Sequence, residues 1–143
     1  GCMASPFQTT RRVEFRDTDA AGIVHFSVFF TYMEAAEHEL WRHLGLSVKQ
    51  INGDEVLSWP RVTASCDYKS PARFEDELSI AVTVDRIGGK SVTFAFAILC
   101  DGREVAAGSL TAVCCRIPKD GPPESIAIPE DIRAKLESVA VAS

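Results

Sequence analysis

The stretch Val13 to Gly45, VEFRDTDAAGIVHFSVFFTYMEAAEHELWRHLG, decides the fold of this chain. It opens as the end of a strand, passes through a short loop holding Asp17, Asp19 and Gly22, and continues as one long amphipathic segment. Phe29, Met33, Ala36, Leu40 and Leu44 recur at three- and four-residue intervals and define one apolar helix face, with Thr31, Glu34, His38 and Arg42 opposite. Phe30, Tyr32 and Trp41 broaden the apolar surface, so the helix is expected to be covered on most sides. Ser27 is a favourable N-cap type, although the turn could begin as early as Val24, and Gly45 supplies a C-terminal stop. A helix over Val28–Leu44 would span about 25 Å, long enough to be the central element of a small domain.

A helix N-terminus offers unpaired backbone N–H groups and the positive end of a dipole. A carboxylate on the preceding loop therefore sits beside a donor cluster suited to developing negative charge, the pairing that acyl-transfer chemistry needs.

Outward from this stretch, Gly1 to Gln8 reads as a loose start and Thr9–Phe15 as a short strand with Val13 and Phe15 on one face. Ser47–Asn52 reads as a short second helix, and Gly53–Pro60 as an irregular connection. Beyond it, strand follows strand. Arg61–Lys69 alternates, with Val62, Ala64, Cys66 and Tyr68 on one face; Leu78, Ile80, Val82 and Val84 repeat the pattern, as do Val92, Phe94, Phe96 and Ile98. Gly88-Gly89 and Asp101-Gly102 mark hairpin turns, and Arg103–Ile117 reads as one long strand. Such alternation predicts an antiparallel sheet buried on one face, with the long helix as its filler. Pro129–Ser138 reads as a terminal helix with Pro129 at its start.

The 143 residues, 46% hydrophobic, suit a single domain, with a core over about 9–117 and a tail over 118–143 that carries the short helix. A net charge of −5 argues against a nucleic acid as the main partner. The five cysteines (Cys2, Cys66, Cys100, Cys114 and Cys115) form no C-x-x-C pair or disulfide-scaffold spacing, which fits a reducing cytoplasm and buried structural thiols. No segment approaches the ~20 apolar residues of a membrane span. His38-Glu39 lacks the second histidine of H-E-x-x-H, because Arg42 stands where it would be, so no metal site is expected there. No serine carries the G-x-S-x-G turn. Lys90 and Arg73 are turn-adjacent cations of the ordinary surface kind.

The run Asp17-Thr18-Asp19-Ala20-Ala21-Gly22-Ile23-Val24-His25-Phe26, followed by Tyr32 and Glu34, resembles the signature of the 4-hydroxybenzoyl-CoA thioesterase-like branch of the hotdog-fold superfamily. Val62 to Asp76, with Tyr68, Pro71-Ala72-Arg73 and Asp76, is similar to the family's following strand and turn, and the order of elements matches from Thr9 to Ile117. The resemblance implies an α+β hotdog fold, an antiparallel β-sheet wrapped around one long central α-helix. It also implies a homodimer or homotetramer that extends the sheet and places its active sites at the subunit interface.

Its implied activity is hydrolysis of an aryl or short to medium acyl-CoA to free acid and coenzyme A, with no metal or bound cofactor. Asp19 matches the catalytic carboxylate, as nucleophile or general base; Gly22 allows the close turn into the helix; the N–H of Phe26 matches the amide that polarises the thioester oxygen. His25 and Glu34 fall on further site positions, and Lys90, with Arg86, is what this chain offers in the hairpin where relatives carry a basic cluster for the coenzyme phosphates. Asp17 is expected to be structural. A hotdog hydroxyacyl-thioester dehydratase or hydratase would instead need His25 and Glu34 as an acid–base pair. A non-catalytic acyl-CoA-binding protein would bind without turnover.

Overall fold

A computed structural model describes residues 6–52 and 55–140. Its long helix, α1, runs Val28–His43, and a five-stranded antiparallel sheet receives it. In chain order the elements are β1 (Phe7–Arg12), a 3-10 turn (Phe15–Asp17), α1, β2 (Gln50–Asn52), β3 (Glu55–Ser58), β4 (Arg61–Tyr68), β5 (Glu77–Ile87), β6 (Ser91–Cys100), β7 (Arg103–Val113), β8 (Cys115–Ile117), β9 (Glu124–Ser125) and α2 (Glu130–Glu137). The large sheet has the order β1-β5-β6-β7-β4, and β2-β3-β8-β9 form a smaller one.

The helix touches β1, β4, β5 and β7, so it lies across the sheet from one edge strand to the other. Phe29, Met33, Ala36 and Leu40 are buried as the periodicity expects. They meet Leu78, Ile80, Val82 and Val84 of β5 and Val92, Phe94, Phe96 and Ile98 of β6 in one core. Close approach depends on Gly108 in β7: a Cβ there would lie 2.5 Å from the Met33 sulfur and 2.6 Å from the Ser65 carbonyl oxygen. Trp41 packs on Trp59 at 5.0 Å between ring centroids and on Phe94 at 6.0 Å. Gly45 ends the helix in the left-handed region, φ +78°.

Several local expectations are corrected. Phe7 and Gln8 belong to β1 rather than to a loose start, while Gly1–Ser5 lie outside the described residues. The first strand ends at Arg12, and Phe15 enters a 3-10 turn, 75% exposed, so it does not share a buried face with Val13. The second helix expected over Ser47–Asn52 is absent; Gln50–Asn52 is a strand paired with Glu55–Ser58, in a stretch expected to be irregular. Gly53 and Asp54 of that connection lie outside the described residues. The run Arg103–Ile117 breaks at Cys114, whose N–H bonds to the Lys90 carbonyl and whose carbonyl accepts from Ile126, and the chain crosses into the smaller sheet. Cys114 and Cys115 are both buried, as expected. Among the described residues no helix is long and apolar enough to cross a membrane.

One exposure pattern bears on assembly. β4 closes one edge of the large sheet, and its residues Val62 to Ser65 are exposed on both faces.

Candidate active site

The loop between strand and helix is a closed miniature hairpin. Thr18 bridges Val24, the Asp19 N–H bonds to the Ile23 carbonyl, and the Gly22 N–H returns to the Asp19 carbonyl, both at 2.9 Å. Gly22 takes φ +78°, the left-handed residue that such a turn requires. The Ala21 N–H donates to Asp19 Oδ1 at 2.8 Å, which fixes the carboxylate's rotation. Asp19 Oδ2 has no hydrogen-bond partner among the described residues.

Three contacts clamp this hairpin from outside. Asp17 Oδ2 accepts from the Glu14 N–H at 2.9 Å and from the buried Tyr32 hydroxyl at 2.8 Å, while the Asp17 carbonyl accepts from the His25 N–H. Asp17 is thus structural, as expected, and joins the start of the loop, its end and the helix. Burial, followed by the bond to Asp17 and the repulsion of its charge, pushes the Tyr32 hydroxyl well above its ordinary pKa, so it stays a donor. On the other side the Val24 N–H bonds to the Ala72 carbonyl at 2.8 Å, and Ile23 bridges Arg73.

Between this loop and the segment after β4 lies a cavity of about 440 Å³, walled by Asp19, Val24, Phe26, Phe29, Tyr68 and Ala72 among others. Its lining is aromatic. Phe29 meets Tyr68 edge-on at 5.5 Å and Tyr32 at 5.8 Å, and Phe26 meets Tyr68 at 6.5 Å. The Tyr68 hydroxyl donates to the Phe26 carbonyl at 2.8 Å, which ties the helix entry to β4. The Phe26 N–H has no acceptor among the described residues. A carboxylate with one free oxygen and an unspent amide at a helix N-terminus therefore belong to one apolar cavity.

The other expected residues lie elsewhere. His25 is exposed, and its ring stacks on Phe26 at 4.6 Å outside the cavity lining. Its Nδ1 lies 3.3 Å from the Ser27 N–H, which donates to it, and 2.8 Å from Ser27 Oγ. Ser27 holds the N-cap position of α1 but makes no side-chain cap bond. Glu34 lines a different cavity, of about 350 Å³, with His38, Ser58, Trp59 and Arg61. His25 and Glu34 are therefore not brought together within one chain. Lys90 follows the β5–β6 turn, where the Arg133 guanidinium donates to the Gly88 and Gly89 carbonyls, and does not line the Asp19 cavity.

Two features escaped sequence reasoning. Tyr68, which the resemblance includes without a role, and Lys69 line the cavity because β4 ends beside the loop, a long-range placement. Beneath the second cavity, fully buried Glu37 accepts hydrogen bonds from the Trp41 indole at 3.0 Å and from the Arg61 guanidinium. Charge periodicity on α1 would have flagged Glu37 only as a polar residue on the wrong face.

A sheet gripping one helix, with an acidic loop at the helix N-terminus, defines the hotdog class of folds. The sequence profile of the thioesterase-like superfamily matches residues 13–136, and the chain belongs to that family. Among its relatives, the acyl-CoA thioesterase YbgC of Haemophilus influenzae is 24% identical over 86% of this chain and 88% of its own length. The 1,4-dihydroxy-2-naphthoyl-CoA hydrolase of Thermosynechococcus vestitus is 25% identical over 90% of this chain and 86% of its own. A solved gentisyl-coenzyme A thioesterase superposes with a TM-score of 0.77 at 26% identity, covering 91% of this chain and 99% of that one.

Proposed function

We propose that the protein is an acyl-CoA thioesterase that uses Asp19 as its reacting carboxylate. The observation that carries this reading is the pairing, in one cavity, of the free Asp19 Oδ2 with the unspent Phe26 N–H. The thioester oxygen accepts from the Phe26 amide, so charge developing on it falls where the helix N-terminus favours it. Asp19 Oδ2 then either attacks the carbonyl carbon, expelling the coenzyme A thiolate and leaving a mixed anhydride that water cleaves to free acid and Asp19, or takes a proton from the water that attacks. The proton that water gives up ends on the thiolate, so thioester and water become acid and thiol. The relatives named for acyl-CoA and hydroxynaphthoyl-CoA hydrolysis support the same chemistry.

Phe26, Phe29 and Tyr68 favour a planar aryl acyl group over a straight alkyl chain, because ring edges and faces are offered together. Gly22 serves the turn that aims Asp19. Within one chain His25 and Glu34 stand apart, which ranks the dehydratase reading below hydrolysis. A homodimer through β4 completes the picture: Val62 is 61% exposed on an edge strand whose N–H and C=O groups face outward, and a second β4 would cover both.

The test is free-thiol release from a panel of aryl- and alkyl-CoA esters by the wild type and by Asp19→Asn. Aryl-selective turnover that collapses in the variant, with fold and oligomer size intact, is expected. Activity indifferent to Asp19 would overturn the mechanism. Single turnover in 18O-labelled water, followed by mass analysis of the Asp19 peptide, separates attack by the carboxylate from attack by water. Light scattering of Val62→Lys, expected to run as a monomer, tests the edge.

A further inference from the structure

The two peptide units that lead into α1 carry four polar groups, and three of them are taken. In the His25–Phe26 unit the carbonyl of His25 accepts from the Val28 N–H at 3.0 Å, while the Phe26 N–H has no acceptor among the described residues. In the Phe26–Ser27 unit the carbonyl of Phe26 accepts from the Tyr68 hydroxyl at 2.8 Å, and the Ser27 N–H donates to His25 Nδ1 at 3.3 Å. The His25 N–H bonds to the Asp17 carbonyl at 2.9 Å, which ties both units to the Asp19 loop. The group left over is the Phe26 amide beside Asp19.

Backbone alone accounts for only the first of these units, since the bond from Val28 to His25 is the opening turn of the helix. The second is held by two side chains from different directions, one local and one reaching across from the end of β4. A planar peptide fixed at both its carbonyl and its N–H cannot rotate, and the plane before it, joined through the Phe26 Cα, loses most of its own freedom.

Ser27 shows how specific the arrangement is. An N-cap serine ordinarily turns its hydroxyl onto the N–H groups of the first helical turn. Ser27 makes no such bond; its Oγ lies 2.8 Å from His25 Nδ1, and the His25 ring stacks on Phe26 at 4.6 Å. The imidazole therefore does what an asparagine side chain does in an Asx turn, receiving the N–H two residues on. It does so from outside the cavity lining.

We propose that His25 and Tyr68 are positioning residues: they clamp the Phe26–Ser27 peptide from its two ends and so aim the Phe26 N–H at the oxygen of the bound thioester. This role rests on the thioesterase reading for the task of that amide. It gives His25 work other than acid–base chemistry and Tyr68 work besides lining the wall. An oxyanion donor acts on charge that develops in the transition state, so misaiming it lowers kcat and leaves binding of the acyl-CoA nearly unchanged.

Three substitutions test the clamp by steady-state kinetics on the best thioester of an aryl-CoA panel. Tyr68→Phe keeps the ring and loses the donor; His25→Phe keeps a ring against Phe26 and loses the acceptor. Each is expected to lower kcat about tenfold or more at unchanged KM. His25→Asn removes the imidazole but supplies an acceptor for the Ser27 N–H, and is expected to keep kcat within about threefold of the wild type. An acid–base histidine would lose as much in His25→Asn as in His25→Phe, and that result overturns the proposal. So does wild-type kcat in both Tyr68→Phe and His25→Phe, or a loss that appears in KM.

A second readout is independent of turnover. In the Asp19→Asn variant, the infrared carbonyl band of benzoyl-CoA labelled with 13C at that carbon is expected to move to lower frequency on binding. The movement should shrink when Tyr68→Phe or His25→Phe is added. The same movement in all three variants overturns the clamp and leaves the Phe26 amide its role. No movement even in Asp19→Asn alone removes that role and the clamp with it. Movement that depends on Tyr68 and His25, without turnover of any thioester by the wild type, would leave the clamp standing and retire hydrolysis.

Discussion

The two ends of β4 carry cavities of opposite construction. At the Tyr68 end, polar groups are held in place by neighbours and left with capacity to spare: Asp19 Oδ2 and the Phe26 N–H have no partner among the described residues. At the Arg61 end opposite charges are paired and buried, although Glu37 Oε1 and Arg61 Nε keep no partner among the described residues. Arg61, 22% exposed at its side chain, pairs with Glu37, which has no exposure, and Trp41 adds a further bond to the same carboxylate oxygen. A buried charge is tolerated only when paired, whereas a reacting group must keep a free lone pair. The contrast sets an end whose polar groups are held open beside a cavity against one whose charges hold the helix to the sheet.

The largest effect that would break this contrast concerns Asp19. Asp19→Asn keeps the shape and the Ala21 bond but removes the reacting charge, so kcat/KM is expected to fall about a thousandfold or more. Stability should move by less than about 0.5 kcal/mol, since the group is partly exposed and not ion-paired. Urea unfolding beside steady-state kinetics checks both, and a large loss of stability would erase the distinction between the two ends. Arg61→Ala should do the converse. It strands Glu37 without its counter-charge, at a cost of about 3 kcal/mol in urea unfolding. Part of that loss should return in the double variant with Glu37→Gln, and turnover per folded molecule should hold.

A smaller effect sharpens the first end. Tyr32→Phe removes the donor to Asp17 and is expected to cost about 1 kcal/mol of stability. Because Asp17 clamps the loop rather than touching substrate, kcat should drop several-fold while KM stays put. The smallest effect belongs to the second end and is read by pH. Burial holds the His38 imidazole below its ordinary value of 6.5, with Arg61 and Arg42 pushing the same way and Glu34 opposing. The unfolded chain therefore binds a proton at higher pH than the folded one. The contribution of His38 to stability is present above pH 6.5 and is lost as pH falls through the folded pKa. Comparing denaturation midpoints of the wild type and His38→Gln from pH 7.5 to about 5 should show the wild type losing more.

What sequence made legible follows the range of the forces involved. The helix was readable because its apolar spacing and Gly45 are local, and the β6–β7 hairpin because Asp101-Gly102 favours a positive φ at both residues, as found. The break at Cys114 was not, since alternation continues across it and only partners far along the chain, Lys90 and Ile126, divert the strand. Gln50–Asn52 is too short to show a period and takes its conformation from Glu55–Ser58. At the site, Asp19 and Gly22 sit in one compact motif that carries its own turn bonds. Lys90 does not line the Asp19 cavity of its own chain, because a hairpin's position in sequence does not tell which end of a sheet its turn reaches. Lys69 is placed only through the pairing of β4 with β7, where its N–H reaches the Val105 carbonyl.

Phe26 and Tyr68 have a consequence for how such a protein changes over generations. Both wall the cavity, yet 62% and 47% of their surfaces remain outside the core. Side chains so placed can be exchanged at little risk to folding, whereas Phe29 and Val24, buried in the same wall, cannot. Exchange at these two positions therefore reshapes the cavity wall and leaves the Asp19 turn and the buried core in place.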